Sequence, residues 1–189
     1  MACECQPELH ADGSIVRRVM QKVFVTSDLH FGHSNVITYE NRPFQNIEQM
    51  DAALIRNWNQ TVSKQDKVFV LGDVGFYNME KLKECVTQLN GRKILVMGNH
   101  DRGRTVQRWM DCGFDEVSKY PIILDEFIVL SHEPPSYFNP ATPYFYLYGH
   151  VHGTEMYQTI TKNTACVCVE RWDYTPVEMQ RIFELAKIK

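Results

Sequence analysis

The amino-acid sequence predicts an α/β sandwich built on mixed sheets, and three observations carry that expectation. Short runs rich in Val, Ile, Phe and Tyr recur at 23–26, 67–71, 93–97, 127–130, 144–148 and 165–169, each bounded by turn residues. In the first half these runs alternate with helical periodicity, the order expected of parallel βαβ units with right-handed crossovers. In the second half strands dominate, and residues 121–124 and 127–130 flank Asp125-Glu126 as an expected hairpin.

The helical stretches are justified by spacing and by their ends. Over 47–62, Ile47, Met50, Leu54, Ile55 and Trp58 recur at intervals that place them on one helix face. A second helix is expected over 78–89, stopped by Asn90-Gly91. A third is expected over 104–110, and a terminal one over 178–188 after Thr175-Pro176. Residues 1–19 read as a flexible extension, and 20–189 as a single domain. Trp58, Trp109 and Trp172 read as packing residues, with Trp172 near the strand ends as a second reading. The tyrosines at 137, 144, 146 and 148 read as one strand face rather than as a base-stacking surface.

Composition bounds the function. A chain of 189 residues with 44% hydrophobic and 23% charged residues has the profile of a soluble globular domain. The net charge of -3 offers no basic surplus for a nucleic-acid backbone. No apolar run approaches the ~20 residues of a membrane helix. The start, MACECQPELHADGS, lacks the basic and apolar regions of a secretory signal, so a cytoplasmic location is expected. The six cysteines lack zinc-ribbon or CxxC spacing and read as free thiols; Cys3 and Cys5 with His10 read as part of the extension rather than as a metal site.

The residues suited to chemistry cluster at the ends of the strands. The first strand leads into Asp28-Leu29-His30-Phe31-Gly32-His33, the second into Gly72-Asp73, and the third into Gly98-Asn99-His100-Asp101. Later strands end in Ser131-His132 and Gly149-His150-Val151-His152. Of the seven histidines, only His10 lies elsewhere. In open α/β sheets the carboxyl ends of the strands form the ligand crevice. Asp, Asn and His together suit first-row divalent cations such as Mn, Fe, Co, Ni or Zn. DxH and HxH spacings put both side chains on the same side of an extended segment. There are ligands enough for two ions, with Asp73 placed to bridge them.

This ordered set, Asp28-x-His30, Gly72-Asp73, Gly98-Asn99-His100-Asp101, His132 and Gly149-His150-x-His152, resembles the calcineurin-like metallophosphoesterase family. The string DLHFGHSNVITYENRPF, with NWN and GNHD, is similar to a compact bacterial and phage branch of it. The resemblance implies an αββα sandwich of two mixed sheets flanked by helices, with a dimetal site at the strand C-terminal ends. It implies that Asp28, His30, Asp73 and His152 hold one divalent cation, and that Asp73, Asn99, His132 and His150 hold the second, manganese being favoured. It implies hydrolysis of a phosphodiester or phosphomonoester by hydroxide held between the cations, with His100 assisting the leaving group. A small phosphorylated molecule, such as a nucleotide, is the expected partner; no membrane, protein or nucleic-acid partner is indicated. The text Gly72-Asp73-Val74-Gly75-Phe76 and GNHD departs from the GDxVDRG and GNHE of protein phosphatases. A non-catalytic metal-binding scaffold and a nuclease are the rival readings.

Four further residues have two readings each. Asp101 orients His100 or caps the next helix. His33 touches phosphate or organises its loop. Asn35 contacts substrate or starts a helix. Arg42 clamps a phosphate with its planar fork or is a surface residue beside a turn.

Overall fold

The computed structural model describes residues 20–136, 139 and 141–188, together with the backbone of 8–9 and 15–16. Glu8–Leu9 (β1) and Ile15–Val16 (β2) pair antiparallel as a separate ribbon. The rest of the expected extension, with Cys3, Cys5 and His10, and also Tyr137, lies outside the described residues.

The first sheet is built from Val23–Thr26 (β3), Lys67–Val70 (β4), Arg92–Val96 (β5) and Glu116–Ser118 (β6), all parallel. Val177–Glu178 (β11) adds an antiparallel edge on β3. The strand sequences are apolar on both faces because both faces are covered. Val68 and Val70 point to one core cluster, whereas Phe69 and Leu71 point to the other. The first cluster lies under Ser34–Tyr39 (α1), Ile47–Thr61 (α2), Met79–Val86 (α3) and Val106–Cys112 (α4), and it buries Met50, Leu54, Trp58, Leu82 and Trp109. Each such side chain contributes about 1.5–3 kcal/mol of burial.

The second sheet, in the order β10-β9-β8-β7, packs on the other face. Ile122–Leu124 (β7) and Ile128–Ser131 (β8) form the expected hairpin, whereas β8, Phe145–Tyr148 (β9) and Thr164–Cys166 (β10) are parallel. Leu130, Phe145, Leu147 and Ala165 interdigitate with Val25, Phe69, Leu71 and Val96 of the first sheet. Met179–Ala186 (α5) joins this cluster, with Phe183 edge-on to Phe145. Tyr148 is buried beside Val151, Cys166 and Cys168, and Tyr146 packs against that group. The architecture is the expected one of two mixed sheets with flanking helices.

Several boundaries differ for local reasons. The helix expected over 104–110 runs over Val106–Cys112, because Thr105 Oγ1 caps it and Gly113 (φ 117°) ends it in the left-handed region. The helix expected over 78–89 starts after Asn78, whose side chain accepts from the Lys81 amide. The strand expected over 165–169 stops at Cys166, and Val169–Arg171 turns into a 3-10 helix. Trp172 lies against the core rather than the strand ends, with Nε1 donating to the Cys166 carbonyl at 2.9 Å.

Candidate metal centre

The loops that leave β3 and β4 zip together. The amides of Asp28 and His30 donate to the carbonyls of Gly72 and Asp73, each at 3.0 Å, and Phe31 pairs with Gly75. This pairing brings residues from two separate strand ends to one place. The backbone there is left-handed at Asp28 (φ 59°), His30 (55°), Asp73 (55°), His150 (70°) and His152 (46°). Such a conformation costs an L-residue about 1–2 kcal/mol and collects at functional sites. Two glycines let the loops close. A Cβ on Gly149 would lie 2.5 Å from Asp28 Oδ2 and Ser27 Oγ, and one on Gly98 would collide with Asp73 Oδ1.

Two groups of ligand atoms result, each within 4.8 Å of one another: Asp28, His30 and His152, and Asp73, His132 and His150. In the first, Asp28 Oδ1 lies 3.8 Å from His30 Nε2 and 3.7 Å from His152 Nε2. Asp28 Oδ1 and His30 Nε2 are buried and have no hydrogen-bond partner. Orphaned acceptors facing one another at more than hydrogen-bond distance are costly unless a cation lies between them. In the second, His132 Nε2 lies 3.5 Å from Asp73 Oδ2, 2.8 Å from Asn99 Oδ1 and 3.2 Å from His150 Nδ1. His132 Nδ1 donates to the Leu71 carbonyl at 2.8 Å, which leaves Nε2 as a lone pair aimed at the cluster. Asp73 Oδ2 is also 3.8 Å from His30 Nε2, so it stands between the two groups. The residue set fits two divalent cations.

The electrostatics of the ligand set are not uniform: Asp28 and His30 are held in ligand form, whereas His152 holds a proton that a cation would displace. Burial pulls His30 down to about 4 against the neighbouring Asp28, so the imidazole is neutral. Burial would raise Asp28, but His30, His152 and His132 outweigh it and hold the carboxyl well below the usual range. Burial pushes Asp73 up to about 6 against His132, with Asp28 and Asp101 adding to the rise. Burial would lower His152, but the Glu170 hydrogen bond and the Asp28 charge carry it up to about 9.

His100 stands on the open side, its side chain 48% exposed and its Nε2 3.9 Å from Asp73 Oδ2. Its amide donates to Asp73 Oδ1 at 3.1 Å. The exposed Phe76 stands beside it, with ring centroids 4.9 Å from His100 and 4.0 Å from a stacked His33. His33 Nδ1 sits 3.4 Å from His30 Nδ1. Asn35 is exposed in the first turn of α1.

Two expectations are corrected by position. Asp101 neither touches the His100 ring nor caps α4. Its buried carboxylate accepts from the amides of Asp73, Val74 and Gly98 at 2.8, 3.1 and 2.9 Å, tying together the loops that carry Asp73 and Asn99. Arg42 is not available as a phosphate clamp, because its side chain is fully buried and its donors are directed into the protein. Three neighbours are not evident from the sequence. Glu170 accepts from His152 Nδ1 at 3.0 Å, Cys168 Sγ lies 3.2 Å from Asp28 Oδ2, and Phe76 packs against the rings of His30, His33 and His100. The polar residue that closes the apolar run Ala165-Cys166-Val167-Cys168-Val169-Glu170 is the one available signal for Glu170.

The family model for calcineurin-like phosphoesterase matches residues 21–164. The "Uncharacterized protein MJ1445" of Methanocaldococcus jannaschii is 33% identical over 88% of this chain and 92% of its own length. The "Gene 66 protein" of Mycobacterium phage L5 is 33% identical over 47% of this chain and 44% of its own. The solved structure of the "Protein of Unknown Function AQ665" from Aquifex aeolicus superposes with a TM-score of 0.66 at 25% identity, covering 88% of this chain and all of that one.

Proposed function

The chain belongs to the calcineurin-like phosphoesterase family, and from that premise we propose that it hydrolyses a phosphodiester, or a phosphomonoester, of a small molecule or nucleotide. The observation that carries this reading is the pair of convergent ligand groups with Asp73 between them. Asp28, His30, Asp73 and His152 would hold one divalent cation, and Asp73, Asn99, His132 and His150 the other, the mixed oxygen and imidazole donors suiting first-row ions, of which we favour manganese. Such a pair, when bound, neutralises phosphoryl oxygens and lowers the pKa of a water nucleophile.

The remaining work falls to the chain's own groups. His100, exposed and held by its amide on Asp73, delivers a proton to the leaving oxygen. His33, stacked on Phe76, and Asn35, exposed in the first turn of α1, contact the substrate in this reading. Asp101 acts on the reaction only through the loops it ties. A cytoplasmic location goes with this reading, supported by buried Cys85, Cys112, Cys166 and Cys168, all free thiols. No described helix is long and apolar enough to cross a membrane.

The test is the initial rate on an aryl phosphodiester and its monoester with added Mn²⁺, for the wild type and His100→Ala. The expected outcome is a wild-type rate that falls ~10²–10⁴-fold in the variant while both cations remain bound. Metal-loaded His100→Ala turning over at the wild-type rate would reject the role of His100. No rate on either ester with two cations bound would favour the scaffold reading.

A further inference from the structure

We infer that Arg42 and Glu170 form a positioning pair that acts chiefly on one cation, locking His152 and the Asp28 loop into their ligand geometry, while the second position feels them only through the His150 amide on Asp28 Oδ2 at 2.9 Å. The inference rests on the proposed dimetal centre and assigns to it residues that do not themselves face the cleft.

The geometry is specific. Glu170 Oε1 accepts from Arg42 Nε at 2.9 Å and Arg42 Nη2 at 2.5 Å, and from His152 Nδ1 at 3.0 Å. That last bond fixes the tautomer of His152 and leaves Nε2 facing Asp28 Oδ1 at 3.7 Å. The same guanidinium holds the Asp28 loop by its backbone, donating to the carbonyls of Asp28 at 2.7 Å and Leu29 at 3.0 Å. One side chain from the turn after α1 therefore ties two ligands that arrive from different sheets.

A purely stabilising role explains this arrangement poorly. Buried ion pairs are weak contributors to stability, since desolvation offsets most of their attraction. Glu170 Oε2 is buried with no partner, an oxygen that a stability device would satisfy. Among the described residues the second ligand group is held differently, with the Asp101 carboxylate tying the loops of Asp73 and Asn99 by their amides and no arginine–carboxylate pair on a ligand imidazole. His132 is oriented there by the neutral Leu71 carbonyl, and neither Arg42 nor Glu170 bonds to His132, Asn99 or His150.

The experiment titrates the metal-free full chain with Mn²⁺ and compares the wild type with Glu170→Gln and with the paired variant Arg42→Met/Glu170→Met. The paired variant leaves no unpaired buried charge, so it keeps the test alive if Glu170→Gln fails to fold. Calorimetry gives the affinity of each position, and electron paramagnetic resonance distinguishes a coupled pair from an isolated ion. The expected result is a ~10–100-fold loss of affinity at one position. The other loses clearly less, and the coupled spectrum gives way to an isolated one at limiting Mn²⁺. Wild-type affinity at both positions in the folded variants, or an equal loss at both, would overturn the inference. A wild-type chain that never binds a second Mn²⁺ would instead overturn the dimetal reading beneath it, and this inference with it.

Discussion

The two ends of the same strands are built on opposite terms. Where β4 and β5 begin, polar groups are matched. Asp66 accepts from the amides of Lys22 and Ser63 and from Ser63 Oγ at 2.9, 2.8 and 2.7 Å. Lys93 Nζ donates to the carbonyls of Leu89 and Gly91, both at 3.0 Å. Trp58, fully buried, donates its indole N–H to the Asn90 carbonyl at 2.9 Å. Where β3 and β4 end, Asp28, His30 and Asp73 are left-handed. Among the described residues, the buried side-chain atoms lacking a partner belong to Thr26, Ser27, Asp28, His30 and Glu170, all at that end or against it. The difference shows where stability is stored and where it is given up. A satisfied amino edge and two apolar clusters hold the strands, so the carboxyl edge can keep strained backbone and unpaired acceptors ready for cations.

The comparison breaks most visibly at Asp73. Asp73→Asn keeps an acceptor for the His100 amide and removes the charge shared by both ligand groups. Phosphoesterase activity should fall by more than the ~100-fold that loss of an outer-shell partner costs. The metal-free variant should melt no lower than the wild type, because a buried carboxylate has been neutralised. Activity within tenfold of the wild type, or a clearly lower melting temperature, would count against placing function at this edge.

At the other edge the expectation reverses. Trp58→Ala should cost about 3–5 kcal/mol in urea unfolding. The folded fraction should bind Mn²⁺ as the wild type does, because Trp58 projects from α2 into the core with its indole bonded to Asn90 at the opposite strand ends. Weaker cation binding in a folded variant would mean that the two ends are coupled through the core.

Asp66 provides a smaller and pH-dependent test of the same edge. Burial would raise its carboxyl, but the Ser63 hydroxyl and the amides of Lys22 and Ser63 outweigh it and hold it below its ordinary value. A folded value below the unfolded one means stability present above the unfolded pKa and lost as pH falls through the folded one. Asp66→Asn should therefore cost on the order of 1 kcal/mol at neutral pH. That deficit should shrink as the solution is acidified. A deficit that stays constant with pH would show that the charge of Asp66 contributes nothing.

The sequence makes one edge far more legible than the other. Asp28, His30, Asp73, Asn99, His132, His150 and His152 each come after an apolar run that can only be a buried strand, so position along the chain predicts position in the fold. The hairpin at Asp125-Glu126 is legible for the same reason. Partnerships across long separations are not. Arg42 and Glu170 lie 128 residues apart, and nothing local to Arg42 distinguishes a buried donor from a surface phosphate clamp. Asp101 reads as an orienter or cap of its neighbours, yet its carboxylate serves amides of the preceding strand's loop. α1 and β11, with six and two residues, are too short to show periodicity and form because tertiary packing holds them.

The smallest prediction separates functional strain from incidental strain. Asp125 (φ 47°) and Glu126 (φ 65°) form the β7–β8 turn in the left-handed region, as the ligands do, but they are exposed and hold nothing in the centre. The loop has three residues between the paired Leu124 and Ile128, and a position with positive φ in such a loop favours Gly. Glu126→Gly should stabilise the chain by about 0.5–1 kcal/mol, since relief of the Cβ clash exceeds the added entropy of the unfolded glycine. Thermal melting and Mn²⁺-dependent turnover measured on one preparation decide the matter. Higher melting with unchanged turnover would place this strain outside the function. A drop in turnover would mean that the hairpin transmits to His132, which sits directly after β8, and that the carboxyl edge reaches further than its ligands.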